Sequence, residues 1–342
     1  GFNMGIKSNR KSESYFNFFG QSFVPESQRP IVKITASGGT EATPGDGYKY
    51  HFWTSSGALT LTEGNDYIEY IAIGGGGGGG GHAGGAGGGG GGARSNIPGI
   101  PPITASPVYL CNTPLHIKVG AAGTGGGTQY TPAVAGGYNG GNSEIFPGSE
   151  PYPSTGRIRA DGGGHGGGGN PGSSPVDRKA QPGGNGGGGQ AFGEPTGGGV
   201  VSDPNFPAPQ GQPGGNCPTN MYGAGGGGLG GEGGDSSGSA GGQGGTGVAF
   251  PTVIVPGSYG TPGPAPTWRY FGGGGGGGCH TPGTAGEGGA GGGGDGAPCG
   301  GEGSTGSSGT GGGGGGAGGV QGSAADEGRN GGSGFIMIRY PV

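Results

Sequence analysis

The sequence predicts a small antiparallel β-sheet joined to a bundle of packed polyglycine helices of the polyproline-II type, with essentially no α-helix. Glycine supplies 110 of the 342 residues and proline 29, far above the roughly 12 % that the two reach together in ordinary proteins. The glycines are concentrated in tracts after residue 73. β-branched and aromatic residues are concentrated before that point and again at the C-terminus.

The strand-like segments are short, rich in β-branched and aromatic residues, and separated by turn residues. They are 31–36, 48–54, 58–62 and 67–73. We expect a β-strand domain at 31–73, completed by a C-terminal strand at 335–341 that is apolar on both faces and joins the strand ending at Ile73. Segments 107–111, 115–119 and 248–255 could extend the same sheet.

Residues 1–30 precede this sheet and have neither helical nor strand periodicity. They contain an aromatic group, Tyr15, Phe16, Phe18, Phe19 and Phe23. Two interpretations stay open: the segment packs on its own sheet, or it is an attachment arm that docks on another subunit.

Residues 74–334 form the predicted glycine-rich bundle with inserted loops. Only 27 % of the chain is hydrophobic and 10 % charged, so side-chain burial cannot supply an ordinary core. The glycine tracts are either flexible coil or polyproline-II helices whose backbones approach closely enough to hydrogen-bond to each other. The tracts are 74–81, 84–92, 120–127, 136–141, 162–169, 183–189, 223–234, 238–247, 272–278, 286–294 and 311–319.

The connections between tracts alternate in length, which predicts an up-and-down arrangement. If each tract crosses the bundle once, the long connections emerge at one end and the short ones at the other. The long ones are 94–119, 142–161, 191–222 and 248–271; the short ones are 128–135, 170–182, 235–237 and 279–285.

Several motifs together resemble a known family. They are Tyr50 followed by WTSSGALTL at 53–61, YIAIGGGG at 70–77, LHIKVGAAG at 115–123, GGNSEIF at 140–146 and GGSGFIMIRY at 331–340. This succession resembles the glycine-rich domain of bacteriophage tail-fibre and appendage proteins, over roughly residues 48–342. The glycine tracts are also similar in style to the polyglycine-helix tip adhesins of T-even-type long tail fibres. The resemblance implies an extracellular protein on the virion surface.

The charge pattern argues against several other functions. The net charge is -5 and no basic stripe is present, so a nucleic-acid surface is not expected. No apolar run is long enough for membrane insertion. The glycine runs lack the helix or G-K-[ST] continuation that a nucleotide site requires, so we expect no cofactor and no enzymatic activity.

The long connections contain the candidate receptor-binding residues. Aromatic side chains set among prolines supply contact area on a stiff loop; the alternative is that they pin the loops to the bundle. They are Phe192, Phe206, Tyr222, Tyr259, Trp268, Tyr270 and Phe271. The expected partners are a bacterial surface glycan or outer-membrane protein and other fibre or baseplate subunits, and a homo-oligomer is allowed. A structural fibre subunit without a receptor is the main alternative, and a disordered glycine-rich matrix protein the third.

The four cysteines are far apart and have no C-x-x-C spacing, so no metal site is expected. They are either thiols or form one or two disulfides. With one crossing per tract, Cys111 and Cys217 lie at the same end and could pair, whereas Cys279 and Cys299 lie at opposite ends.

Overall fold

The computed structural model describes residues 32–98, 108–111, 114–127, 136–148, 157–169, 179–190, 196–201, 210–218, 221–319 and 327–342. The attachment arm predicted at 1–30 lies outside these residues. The described part contains no helix and an antiparallel sheet, as predicted. The strands are β1 Val32–Ser37, β2 Thr40–Ala42, β3 Tyr48–Trp53, β4 Gly57–Ile73, β5 Ala93–Ser95, β6 Val108–Cys111, β7 Leu115–Lys118, β8 Ser143–Pro147, β9 Ile158–Ala160, β10 Val248–Pro251, β11 Trp268–Phe271 and β12 Phe335–Pro341.

Among the described residues, ten strands form one sheet and β10 and β11 form a separate hairpin. The main path runs β2-β3-β12-β4-β7-β8-β9, and β1, β5 and β6 also pair with β4. Strand β4 can hold so many partners because it is 17 residues long. The two pieces predicted at 58–62 and 67–73 are therefore one continuous strand.

Strand β12 lies between β3 and β4, with Phe335 opposite Ile73 and Ile336 opposite Trp53. Successive side chains of a strand point to opposite faces of the sheet. Ile336 and Ile338 therefore pack into one apolar cluster, while Phe335 and Met337 pack into another on the opposite face. Both faces of β12 are covered, which explains why its sequence is apolar throughout its centre.

Glycine segment 74–81 continues directly from β4, and its N–H groups donate in rotation to three neighbouring segments. Each neighbour is bonded at every third residue. Gly74, Gly77 and Gly80, for example, all donate to segment 84–92 over 2.8–2.9 Å. The other two acceptor segments are 136–141 and 327–334.

The carbonyl groups of segment 74–81 accept hydrogen bonds from three further segments, over 2.8–3.0 Å. These donor segments are 120–127, 162–169 and 311–319. Segment 74–81 is thus surrounded by six others, with antiparallel neighbours on its donor side and parallel neighbours on its acceptor side. Its backbone groups are satisfied without side chains.

Only glycine permits the close approach of these backbones. A Cβ atom at Gly78 would lie 2.0 Å from the carbonyl oxygen of Thr124, and one at Gly76 would lie 2.0 Å from that of Gly312. Both contacts are with main-chain atoms that are themselves hydrogen-bonded and cannot swing away. The sequence requirement for glycine in this segment is therefore steric.

Side chains replace a neighbouring carbonyl where the glycine packing ends. Asn330 Oδ1 accepts from the N–H of Gly125 at 2.9 Å, and Asp295 Oδ1 accepts from that of Gly288 at 2.8 Å. The same role is taken by Asn139, Asn142, Asp235 and Gln243 toward other backbone N–H groups. The polar residues that interrupt the tracts thus complete the backbone hydrogen bonding of neighbouring segments.

Two buried side chains perform this function inside the fold. Asn185 is fully buried; its Nδ2 donates to the carbonyls of Gly90 and Gly91, and its Oδ1 accepts from the N–H of Gln212. Ser143 Oγ donates to the carbonyl of Ile73 at 2.6 Å and accepts from the N–H of Gly120 at 2.9 Å. Ser143 thereby ties the end of β4 to the beginning of a glycine segment.

The rule of one crossing per tract is wrong at several places. Tracts 223–234 and 286–294 each turn back on themselves, because Gly225 bonds to Gly234 and Gly296 to Gly286. The long connection 191–222 contains two further glycine segments, 196–201 and 210–216, that pack in the bundle. Tracts 162–169 and 183–189 run parallel instead of antiparallel.

The rule does hold for three of the long connections. The hydrogen-bond directions place both ends of 94–119, 142–161 and 248–271 at the end of the packed glycine segments that adjoins the sheet. We call this the sheet end and the opposite one the far end. These three long connections therefore begin and end beside the sheet.

The replacement Gly78→Ala is expected to destabilise the protein by about 1–3 kcal/mol or more, because the added methyl group overlaps a backbone carbonyl. Urea unfolding of the purified variant measures this. The matched control is Gly199→Ala, since a Cβ there meets nothing within 4 Å and its effect should stay within about 0.5 kcal/mol. Equal stability of the two variants would mean that the backbones are not this close.

Candidate recognition surface

The loop between β10 and β11, residues 252–267, is described along its whole length and lies at the sheet end. Its base is closed by four residue pairs between the two strands. Within it, the Arg269 side chain donates to the carbonyls of Tyr259 and Gly260, each at 2.8 Å. Thr261 and Tyr270 exchange backbone hydrogen bonds at 2.9 and 3.0 Å. The loop is thus hydrogen-bonded to β11 at its base.

Apolar contacts fix this loop to the sheet. The Tyr259 ring stacks on Phe52 of β3 with the ring centroids 4.8 Å apart, and it lies 5.3 Å from the ring of Phe335. Val255 is fully buried in the same cluster. Because the loop is held from both the sheet and its own base, its outer surface is ordered in advance of any contact.

Two large apolar side chains remain on that outer surface. Val253 is 75 % exposed and Trp268 is 39 % exposed. Large exposed apolar groups on an ordered loop are typical of a surface that contacts another molecule. Pro262, Pro264 and Pro266 are also exposed beside them.

A groove of about 260 Å³ separates this loop from the edge of the sheet. One wall is formed by residues of β2, β3 and the turn between them, and the other by the loop. The lining residues are Ala42, Pro44, Asp46, Tyr50, Phe52, Thr252, Val253, Ile254 and Pro256. The lining of the groove is mostly apolar.

Asp46 is the charged residue in the groove lining. Its carboxylate accepts from Tyr50 Oη at 2.6 Å and from the Tyr48 N–H at 3.0 Å. Burial alone would raise the pKa of Asp46, but these hydrogen bonds outweigh burial and lower it. The groove therefore presents a fixed negative charge at neutral pH.

Arg339 is the second hydrogen-bond partner of the Tyr50 hydroxyl group. Its Nη1 donates to Tyr50 Oη at 3.0 Å, its Nε donates to Glu69 at 2.6 Å, and its guanidinium lies 4.3 Å from the centre of the Tyr48 ring. These contacts fix the two tyrosines and, through them, Asp46.

A sequence profile described as a glycine-rich domain matches residues 54–341. The chain belongs to this glycine-rich domain family. The match begins just before β4, includes β12, and covers the whole region of glycine segments. The resemblance predicted over roughly 48–342 is therefore confirmed for the glycine-rich domain. No curated protein matches the chain.

Within this glycine-rich domain, the aromatic residues predicted to bind a receptor have different environments. Phe271 is fully buried between Phe250 and Phe335, and Tyr222 is 5 % exposed with its Oη bonded to Pro282 and Thr281. Both side chains are buried against neighbouring segments, which is the environment that the alternative interpretation of these residues expects.

The other aromatic residues predicted to bind a receptor also differ in their environments. Tyr259 and Tyr270 are half-buried supports of the loop, and Trp268 faces solvent. Phe192 and Phe206, like the aromatic group at Tyr15, Phe16, Phe18, Phe19 and Phe23, lie outside the described residues. Binding by these residues stays a prediction.

Sequence reasoning missed the groove. Val253 and Ile254 belong to segment 248–255, which predicts a strand through residue 255, but β10 ends at Pro251. The signal that could have found the loop was the pair of prolines, Pro251 and Pro256, on either side of residues 252–255. Asp46 and Pro44 gave no signal, because their position opposite the loop depends on the tertiary fold.

The premise of the predicted Cys111–Cys217 disulfide, that both residues lie at one end, is wrong. Cys111 pairs with Asn65 in the sheet, whereas segment 210–216 carries Cys217 to the far end. A crossing of eight residues spans roughly 25 Å, and a disulfide needs Cα atoms within about 7 Å. The Cys217 thiol donates to the carbonyl of Tyr222 at 2.7 Å.

No cluster of three metal-ligating side chains occurs in the part of the chain that the structure describes. Within the same residues, no helix is long and apolar enough to cross a membrane.

His51 is fully buried on β3, between the groove residues Tyr50 and Phe52. Its Nδ1 lies 2.7 Å from the carbonyl of Gly38, and its Nε2 lies 3.0 Å from Tyr340 Oη. Burial lowers the pKa of His51 and outweighs the Gly38 carbonyl and Glu41, which favour protonation. The imidazole is therefore neutral at pH 7.

This burial predicts that the protein loses stability as the pH falls below about 6.5. Since the folded pKa of His51 is below its unfolded value, the unfolded chain binds the proton first, and stability declines between those two pKa values. The decline is at most about 1.4 kcal/mol per pH unit. Urea unfolding at pH 7.5, 6.5 and 5.5 measures it.

His51→Gln is the control, because glutamine keeps a donor and an acceptor but does not titrate. Its stability should change less between pH 6.5 and 5.5 than that of the unmodified protein. The carboxylates of Glu41 and Asp46 have lowered pKa values and lose stabilisation only at more acidic pH. Identical pH profiles for the two proteins would contradict the assignment to His51.

Proposed function

We propose that the glycine segments are polyproline-II-type helices packed side by side in a bundle. The supporting observation is the hydrogen-bond repeat, since each neighbour of segment 74–81 is contacted at every third residue. A polyproline-II helix has three residues per turn and no internal hydrogen bonds. Its N–H and C=O groups are then free to bond to surrounding chains in three directions.

Such a bundle should protect its amide protons although it has no α-helix. We expect slow hydrogen exchange at residues 74–80 and 85–92, whose N–H groups are bonded and buried. Circular dichroism should show a polyproline-II-like signal that disappears cooperatively on heating. Exchange of nearly all these amides within the dead time of the experiment would show that the segments are coil.

We propose that the protein is a tail-fibre or appendage protein of a bacteriophage virion, and that it recognises a host surface through loops on this scaffold. The carrying observation is the ordered β10–β11 hairpin, which leaves Val253 of its loop and Trp268 of β11 exposed although the loop is tightly anchored. Preorganisation reduces the entropy lost on binding. A bundle held by backbone hydrogen bonds supplies a rigid base for such a loop.

In this proposal the role of the protein is binding, not catalysis. The partner on the host is a surface glycan or an outer-membrane protein, and the N-terminal segment attaches the chain to other virion subunits. The exposed aromatic and apolar groups beside a groove with one carboxylate suit either host ligand. The resemblance of the sequence motifs to phage appendage domains supports the location outside the host cell.

The replacement Trp268→Ala tests the recognition surface. Labelled full-length protein is titrated onto a panel of bacterial strains, and saturable binding is expected to weaken about tenfold or more in the variant, because exposed tryptophans often dominate an interface. Thr267→Ala is the matched control, since Thr267 is the exposed residue directly before Trp268 and this variant should bind as the unmodified protein does.

Undiminished cell binding by Trp268→Ala would contradict the use of this loop. Absence of saturable binding to any strain, together with spontaneous filaments of the purified protein, would favour the alternative of a structural fibre subunit.

A further inference from the structure

Two cysteines lie at the far end of the bundle, on neighbouring parallel segments. Segment 272–278 leads to Cys279, the chain returns through 286–289, and segment 293–297 then runs back beside 272–278. Gly276 and Cys279 donate to the carbonyls of Gly294 and Ala297, each at 2.9 Å. The prediction that Cys279 and Cys299 lie at opposite ends is wrong, because tract 286–294 contains a turn and counts as two crossings.

The two residues are also close locally. The Cys299 thiol donates to the carbonyl of His280, the residue after Cys279, at 3.3 Å. From the other side, the N–H of Cys279 is bonded to Ala297, two residues before Cys299. Both sulfur atoms are thiols in this structure.

Their surroundings differ in a way that suits stepwise oxidation. Cys279 is fully buried, whereas Cys299 is partly exposed in a surface turn closed by the bond from Gly301 to Pro298. Burial raises the pKa of the Cys279 thiol, and the nearby Cys299 raises it further. Cys299 is thus the thiol that solvent reaches first.

We propose that Cys279 and Cys299 form an intramolecular disulfide when the protein meets a disulfide oxidant, and that this bond clasps the far end of the bundle. The inference does not depend on the proposed function. Movement in the turn at 298–301, where Pro298 and Gly300 are exposed, would bring the Cα atoms within the distance that a disulfide requires.

Glutathione disulfide is an oxidant of the required class. The Cys299 thiolate attacks one of its sulfur atoms, which forms a mixed disulfide and releases one glutathione thiol. The Cys279 thiolate then attacks the Cys299 sulfur and releases the second glutathione thiol. The two protein thiols are oxidised, the glutathione disulfide is reduced, and the two protons end on the released glutathione.

The bond would close a loop that contains the turn at 290–292 and both segments that lead to and from it. Cross-linking restricts the unfolded chain and so stabilises the folded one. It would act at the end of the bundle that lacks the sheet and its apolar clusters.

The test uses the purified full-length protein. The reduced protein is equilibrated with reduced and oxidised glutathione, remaining thiols are alkylated in denaturant, and the chain is cleaved after glutamate. Cleavage at Glu232 and Glu287 separates Cys217, Cys279 and Cys299 from each other. We expect one peptide pair joined through Cys279 and Cys299, lighter by two hydrogens, and a higher Tm than that of the reduced protein.

Two variants complete the design. Cys299→Ser should abolish the joined peptide and the rise in Tm on oxidation. Cys217→Ser, which keeps a donor toward the Tyr222 carbonyl, should retain both. The proposal is overturned by a bridge between Cys279 and Cys217, by recovery of both Cys279 and Cys299 as alkylated thiols, or by a stable glutathione adduct on Cys299 beside a reduced Cys279.

Discussion

The fold depends on the absence of side chains between neighbouring main chains. Around segment 74–81, six other segments approach closely enough for direct N–H to carbonyl bonds, and a single Cβ at Gly78 would lie 2.0 Å from a carbonyl oxygen. Each such bond contributes only about 0.5–1.5 kcal/mol net, while ordering glycine costs more backbone entropy than ordering any other residue. Stability must therefore come from the number of satisfied backbone groups, together with the apolar clusters of the sheet.

At the edge of the glycine packing, an outer segment has backbone N–H groups that face no neighbouring chain. The edge strand of a β-sheet has unpaired groups of the same kind. The protein satisfies such N–H groups with side-chain acceptors. Asn330, Asp295 and Gln243 each accept from a backbone N–H of the adjacent segment. The polar residues scattered through the glycine tracts are therefore placed by the geometry of the neighbouring segment, which explains their irregular spacing along the sequence.

Because contacts in the glycine region depend on neighbouring segments, only part of the fold could be predicted from the sequence. The strands were readable because alternation and β-branched residues report local structure, as at β3 and β12. Turns inside the glycine region were not readable, because a turn such as 290–292 has the same composition as the straight segments beside it. In the candidate recognition surface, Trp268 and Phe271 are both aromatic and lie three residues apart in the chain, yet Trp268 faces solvent and Phe271 is fully buried. Only the docking of the β10–β11 hairpin on the sheet separates them.

The hairpin β10–β11 connects the hydrogen-bonded glycine segments with the apolar packing of the sheet. Its inner residues Phe250 and Phe271 join Leu229, from a turn of the bundle, to Phe335 of the sheet in one apolar cluster. Its outer residues make no part of that cluster. Changes at Val253 or Trp268 can therefore alter the exposed surface without disturbing the contacts that hold the loop, because burial and exposure lie on opposite sides of the same hairpin. For Trp268 and Phe271, alternation along β11 places the two side chains on opposite faces, and the docking of the hairpin on the sheet decides which of the two faces is buried.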